Sequence, residues 1–140
     1  MPVVGFGFDN INIEKKQPFD KDDKINNNIK IIELKETSLK PNDKDELPGI
    51  LILFEFSLSF AKAGNLSLKG HIIYYDPENK TKELLKNWKD GKKLPAQFST
   101  QIFNFILYKC NIRALQLEEE VGLPLHLKLP KFKVQNQKKD

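Results

Sequence analysis

The sequence predicts an α+β domain: a four-stranded antiparallel sheet first, then a short and a long helix packed on one face of it. Three observations carry this. Residues 54–60 and 66–71 alternate apolar and polar side chains with a period of two, the pattern of half-buried strands. Residues 95–121 repeat their apolar side chains at three- and four-residue spacing, as a helix does. At 140 residues the chain suits one compact domain and is short for two. We delimit that single domain to residues 1–134 and assign 135–140 to a polar, frayed tail.

The first strand is marked by Val4, Phe6 and Phe8 alternating with Gly5 and Gly7. Ile11 and Ile13 continue it beyond Asp9-Asn10, which implies a bend or bulge. Residues 14–24 are polar, contain Pro18 and form a loop. Ile29 to Leu34 is short and β-branched, a second strand with a slip of phase. Residues 40–45 are a turn by composition, closed by Pro48-Gly49. In the third strand Phe54, Phe56, Leu58 and Phe60 share one face and Glu55, Ser57 and Ser59 the other, so one face is buried and one wet. Gly64-Asn65 marks a tight hairpin. Leu66, Leu68, Gly70, Ile72 and Tyr74 then alternate with Ser67, Lys69, His71, Ile73 and Tyr75. The wet face therefore continues to about His71 and turns apolar towards Tyr75. A meander is the simplest way to connect four such strands.

Asp76-Pro77-Glu78-Asn79 is a turn, and residues 80–88 form a short helix carrying Leu84, Leu85 and Trp88, ended by Asp90-Gly91. Pro95 opens a helix of about 25 residues, roughly 38 Å long. Its main stripe is Phe103, Ile106, Leu107, Cys110, Ala114, Leu117 and Val121, and a second patch of Phe98, Ile102, Phe105 and Ile112 lies almost opposite. Gly122 stops it. One sheet covers only one side of a helix, so part of the second patch is expected at a subunit interface, with the Trp88 helix, the C-terminal segment or loops of the same chain as the alternative cover. Beyond the helix, Leu123, Leu125, Leu127 and Leu129 alternate with Pro124, His126 and Lys128. Pro130 closes this extended strip, which belongs at an edge or on the surface because proline has no place in a central strand.

The totals narrow the function classes. With 39% hydrophobic and 30% charged residues, the chain is globular and not disordered. No segment approaches the roughly 20 apolar residues of a membrane span, and the N-terminus lacks the pattern of a signal peptide. A cytoplasmic location is expected. Cys110 is the sole cysteine, which leaves neither an intramolecular disulfide nor a multi-cysteine metal site. It lies mid-stripe, as a buried small hydrophobe.

A net charge of +4 invites a nucleic-acid partner, yet Arg113 is the only arginine among 23 basic residues. The lysines are also dispersed among acids, as in Lys21-Asp22-Asp23-Lys24. That pattern serves solubility, and nucleic acid is not expected. His71 and His126 are expected on the surface, each without a His, Cys or carboxylate at useful spacing. Gly5-Phe6-Gly7-Phe8 lacks the third glycine and the Lys-Ser/Thr of a phosphate loop. Glu118, Glu119 and Glu120 fall at the end of the helix disfavoured by its dipole, on a solvated face. No arrangement of groups supports catalysis, a cofactor or a metal, so a non-enzymatic protein is expected.

The runs LFEFSLSF and LSLKGHIIYY, followed by a short helix, a long helix and GLPLHLKLPKF, resemble the SecB family of export chaperones and their SecB-like relatives. Gly122, Leu123, Pro124, Leu125, Leu127, Pro130 and Phe132 occupy comparable places. The resemblance covers the chain from about Ile50 onward by motif, and the first strands by order and length. It implies a SecB-like fold, a homo-oligomer (a dimer, or a tetramer built as a dimer of dimers) and ATP-independent holding of unfolded or precursor polypeptides in apolar grooves. It places Trp88, Leu94 and Phe98 near such a groove, and Leu123, Leu125 and Leu127 complete the candidate peptide-binding set. Phe98, Ile102, Phe105 and Ile112 form the candidate oligomer interface. There are departures: residues 98–102 read Phe-Ser-Thr-Gln-Ile in place of a Phe-Pro-Tyr-Ala-Arg-like run. The open face of the sheet, where that family presents carboxylates to the SecA motor, offers Ser57, Ser59, Ser67 and Lys69 with Glu55 as its one acid. The alternative is a non-enzymatic adaptor whose apolar surface is kept by one dedicated partner.

Overall fold

The computed structural model describes residues 3–39, 46–78, 80–91, 93–130 and 132. Four strands, β1 (Val3–Lys15), β2 (Asn26–Leu39), β3 (Leu47–Ser59) and β4 (Gly64–Tyr75), precede α1 (Thr81–Gly91) and α2 (Ala96–Val121). All pairings are antiparallel, and both helices lie on one face of the sheet. The α+β order expected from the sequence holds.

The connection differs from the expected meander. The strand order is β1-β4-β3-β2, so β1 closes onto the far edge of the β2–β3–β4 hairpin series in a Greek-key arrangement. Glycines in β4 admit it. A Cβ at Gly70 would collide with the Gly7 carbonyl oxygen and stand 2.9 Å from the Phe54 ring. Gly64, at φ +154°, would collide with the carbonyl of Glu14. At these two positions β1 comes too close to β4 for β4 to carry a side chain. The N–H of Lys16 donates to the Ala63 carbonyl at 2.7 Å and locks the end of β1 beside the β3–β4 turn.

Three bulges adjust the faces. Pairing skips at Val4 and at Asp9 in β1, and at Ile32 in β2. The first two carry Val3, Phe6, Phe8 and Ile13 to the core side; the third, the expected slip of phase, puts Leu34 there. The hairpin runs through a short 3-10 turn, Ala61–Ala63, with Asn65 already paired to Ser59. Pro48 and Gly49 do not close a turn: they lie in the first residues of β3, and the Pro48 carbonyl accepts the Asp76 N–H at 3.1 Å. The turn expected at 40–45 and the tail expected at 135–140 lie outside the described residues.

The core faces one way. Ile50, Ile52, Phe54, Phe56 and Leu58 of β3 meet Leu66, Leu68 and Ile72 of β4 beneath α2. Each large side chain so buried contributes about 1.5–3 kcal/mol. α2 contributes Phe98, Ile102, Ile106, Cys110, Ala114 and Leu117. This corrects the two-patch reading of the helix. Phe98 and Ile102 continue the sheet-facing row, which runs along the four-residue ridge, while Phe103, Leu107 and Val121 are half-buried flanks. A helix that crosses a sheet on its four-residue ridge drifts in phase, so its two ends show different apparent faces. Burial raises the Cys110 thiol to a pKa of about 12, so it remains protonated at neutral pH.

Two outcomes are expected in urea unfolding. Gly70→Ala lowers stability by about 1–3 kcal/mol, because the added methyl has no room between β1 and Phe54. Gly91→Ala, whose Cβ meets nothing closer than 3.7 Å, shifts it by at most about 1 kcal/mol, towards greater stability. In alkylation at pH 8, Cys110 is protected in the native protein and labels rapidly once the chain is unfolded.

Candidate functional site: an outward leucine strip

α2 ends on Gly122, which takes the left-handed conformation at φ 81° that favours glycine. The N–H groups of Gly122 and Leu123 both donate to the Glu118 carbonyl, at 3.0 and 2.9 Å. The chain reverses there, and Leu123 drops into the core. The Glu118 side chain then grips the segment that its own carbonyl has turned. Its Oε1 accepts the His126 backbone N–H at 3.2 Å, and its Oε2 lies 2.7 Å from His126 Nδ1. The other ring nitrogen, Nε2, lies 2.8 Å from Asn111 Oδ1. The imidazole also meets the Phe56 ring edge-on, at 6.2 Å between centroids.

This contradicts the expectation of a surface His126 and a solvated Glu118. Their side chains are 2% and 0% exposed; only Glu119 and Glu120 of the acidic triplet face solvent. Placing the histidine inward turns its neighbours outward. Leu125, Leu127 and Leu129 are 38%, 42% and 54% exposed, and Phe132 is fully exposed. The chain bends at His126 and Leu127, so the pinned histidine leaves Leu125 and Leu127 on the outer side, and residues 127–130 are all exposed. Lys128 is exposed among these leucines.

The sequence-derived peptide-binding set divides in the structure. Leu125 and Leu127 are on the surface, whereas Leu123 is buried in the core, away from any partner. Trp88 and Leu94 are half-buried against the core. Phe98 is largely buried, with the Tyr74 ring edge-on at 5.0 Å. With Tyr74, Leu84 and Pro95 it lines an open cleft of about 340 Å³ between the starts of α1 and α2. Leu94 and Pro95 line an adjoining cleft of about 430 Å³. Burial, then the carboxylates of Asp76 and Glu78, push the Tyr74 hydroxyl upward. Tyr74 is therefore neutral at neutral pH, in a cleft that Asp76, Glu78 and Lys80 also line. Asp76 itself is buried, accepting a hydrogen bond from Thr81 Oγ1 at 2.5 Å at the start of α1.

The interface set also divides. Ile102 is fully buried and Phe98 nearly so, both against the chain's own sheet, which removes them from a subunit contact. Phe105 packs on Phe6 at 5.5 Å between centroids, with the Lys109 ammonium 5.7 Å from the Phe6 ring and 5.8 Å from the Phe105 ring. Ile112 remains 47% exposed, one turn from exposed Tyr108. On the open face of the sheet, His71 stands 3.0 Å from the Asp9 carboxylate. β1–β4 pairing and the bulge at Asp9 supply this partner across 62 positions of sequence. Lys30 and Ser67 hold Glu55, at 3.5 and 3.3 Å. Among the described residues no group of His, Cys, Asp and Glu could hold a metal ion, and no helix is long and apolar enough to cross a membrane.

Removing one partner of a buried hydrogen-bonded pair leaves the other unsatisfied. Glu118→Ala or His126→Ala is therefore expected to cost about 1–3 kcal/mol in denaturant unfolding. The double variant should cost clearly less than the sum. Trypsin should also cut after Lys128 faster in His126→Ala than in the parent.

No protein-family model matches the sequence, and no curated protein does. Among solved structures the chain is similar to the SecB-like chaperone Rv1957 of Mycobacterium tuberculosis, determined in complex with a ChAD peptide from the Rv1956 HigA1 antitoxin. The two are 11% identical, with a TM-score of 0.47 over 96% of this chain and 91% of that one.

Proposed function

We propose that this chain is an ATP-independent holdase that captures extended or non-native polypeptides along Leu125, Leu127, Leu129 and Phe132. The observation that carries the reading is the outward strip itself. A folded chain ordinarily turns a row of leucines inward, and here a buried Glu118–His126 pair holds the row out. Covering the exposed parts of four such side chains gains about 4–6 kcal/mol. Association costs consume part of that gain, leaving the weak, reversible grip that holding needs. The clefts floored by Phe98 and Leu94 at the α1–α2 crossover supply further apolar contacts, with Trp88 on the neighbouring helix.

The same residues suit the resemblance to SecB-like proteins and a role in escorting precursors. On the open face of the sheet the carboxylates of Asp9, Glu33 and Glu55 stand beside His71, Lys35 and Lys30, so a motor that seeks carboxylates would meet them paired. Self-association, if it accompanies holding, would use Tyr108 and Ile112 on the outer side of α2, with Phe105 engaged by Phe6 of its own chain.

Light scattering of a reduced, aggregating client checks the reading. Stoichiometric protein should suppress scattering equally with and without ATP. Leu125→Asp with Leu127→Asp should weaken suppression at least about fivefold while changing stability by no more than about 0.5 kcal/mol. No suppression by the parent protein would sink the holdase. Suppression of one client alone, saturating at one partner per chain, would favour a dedicated adaptor.

A further inference from the structure

Both helices pack on the core face of the sheet, yet half of the opposite, open face is apolar. Leu39, Leu47, Leu51, Leu53, Ile73 and Tyr75 alternate with the core residues of β2, β3 and β4. All six are half-buried, and none packs on the core. They stand beside one another across the strands: Leu39 pairs with Leu47, and Leu51 with Ile73. On the β1 side the face is low. An added Cβ at Gly7 or Gly5 would stand 2.9 Å from the His71 ring or 3.1 Å from Ile73, so at these rows β1 contributes no side chain of its own.

A charged row crosses all four strands next to this patch: Asn10, Lys69, Glu55 and Lys30 are paired in register. Lys30 lies 3.5 Å from Glu55, and Lys69 is exposed. The row is self-complementary about the line between β4 and β3. Two such sheets packed face to face, with a two-fold axis along that line, exchange β4 of one copy with β3 of the other. Lys69 then lies over the partner's Glu55, and Glu55 over the partner's Lys69. In the apolar rows Ile73 lies over the partner's Leu51, and Leu51 over the partner's Ile73. A wholly basic or wholly acidic partner would match one sign of the row and clash with the other; a second copy matches both. Four strands span about 19 Å and residues 69–75 about 24 Å, which gives about 450 Å² per copy. The total of about 900 Å² is below the standard size of stable interfaces, in the range of weak and transient contacts.

We propose that two copies of this chain associate weakly and reversibly through the open faces of their sheets, with Leu51, Leu53 and Ile73 central and reciprocal Lys69–Glu55 pairs beside them. The contact is separate from the leucine strip and from the outer side of α2, and it does not rest on the holdase reading.

Sedimentation velocity of the full-length protein at low ionic strength tests this. The parent should pass from monomer to dimer with a Kd of about 10–100 μM. Lys69→Glu or Glu55→Lys alone should raise that constant at least about tenfold, because each makes both reciprocal contacts repulsive. An equimolar mixture of the two variants should associate again, since each carries the charge the other needs; damage to the fold could not produce that rescue. Leu125→Asp with Leu127→Asp should leave the dimer unchanged. A parent that stays monomeric up to about 500 μM would overturn the proposal, and so would single variants that dissociate but do not associate on mixing. A dimer that Ile112→Asp dissociates and the charge reversals spare would overturn it in favour of α2. A monomeric parent that loses an unfolded client on Lys69→Glu would give the open face to an extended polypeptide instead.

Discussion

A carboxylate and an imidazole, Glu118 and His126, share a site closed to water against Phe56. The surface of this protein depends on that constraint. Buried polar groups are costly unless each finds a partner, and here the partners are all local. The Glu118 carbonyl ends the helix, and its carboxylate takes both the backbone and the ring of His126. Asn111, two turns earlier on the same helix, meets the other nitrogen. With the histidine held in at the bend, Leu125 and Leu127 on either side of it lie at the surface. An unfavourable local feature, an acid near a helix C-terminus, becomes the anchor of an exposed apolar strip.

The sheet makes this possible by supplying a rigid floor. β3 is central, paired on both sides, and its inward row from Ile50 to Leu58 is closed to solvent. β1 reaches the edge of β4 because glycines at 64 and 70 clear its path. The aromatic contacts of Phe6 with Phe54 and Phe105 then tie that edge to α2. Helix placement fixes where Glu118 falls, and with it where His126 meets Phe56 and the strip begins. Fold and site are coupled through one helix.

Local pattern was enough to read β3, β4, α1, α2 and the bulge in β1, because period and turn chemistry act over a few residues. The pairing of β1 with β4 was not legible: antiparallel strands of similar composition carry no label for their partner. The same blindness hid the Asp9–His71 contact, whose partners are far apart in sequence. The inward turn of His126 was hidden for a different reason. Alternation separates two sides but does not say which is buried, and hydropathy favours the leucines. The signal that could have found it is Glu118 eight positions upstream, across a glycine-ended helix. The assignment of Ile102 and Phe98 to an outer patch failed because a long helix crossing a twisted sheet changes its buried face along its length.

The central claim is that Leu125, Leu127 and Leu129 face solvent and are covered by an extended polypeptide. It is tested most directly by placing a single cysteine at each of these positions and at Leu123, in a Cys110→Ala background. Alkylation rates are then measured with and without an unfolded client. The account predicts rapid labelling at 125, 127 and 129, slow labelling at 123, and client protection confined to the first three. Slow labelling at 125, 127 and 129 in the free protein, or rates there that an unfolded client leaves unchanged, would contradict it.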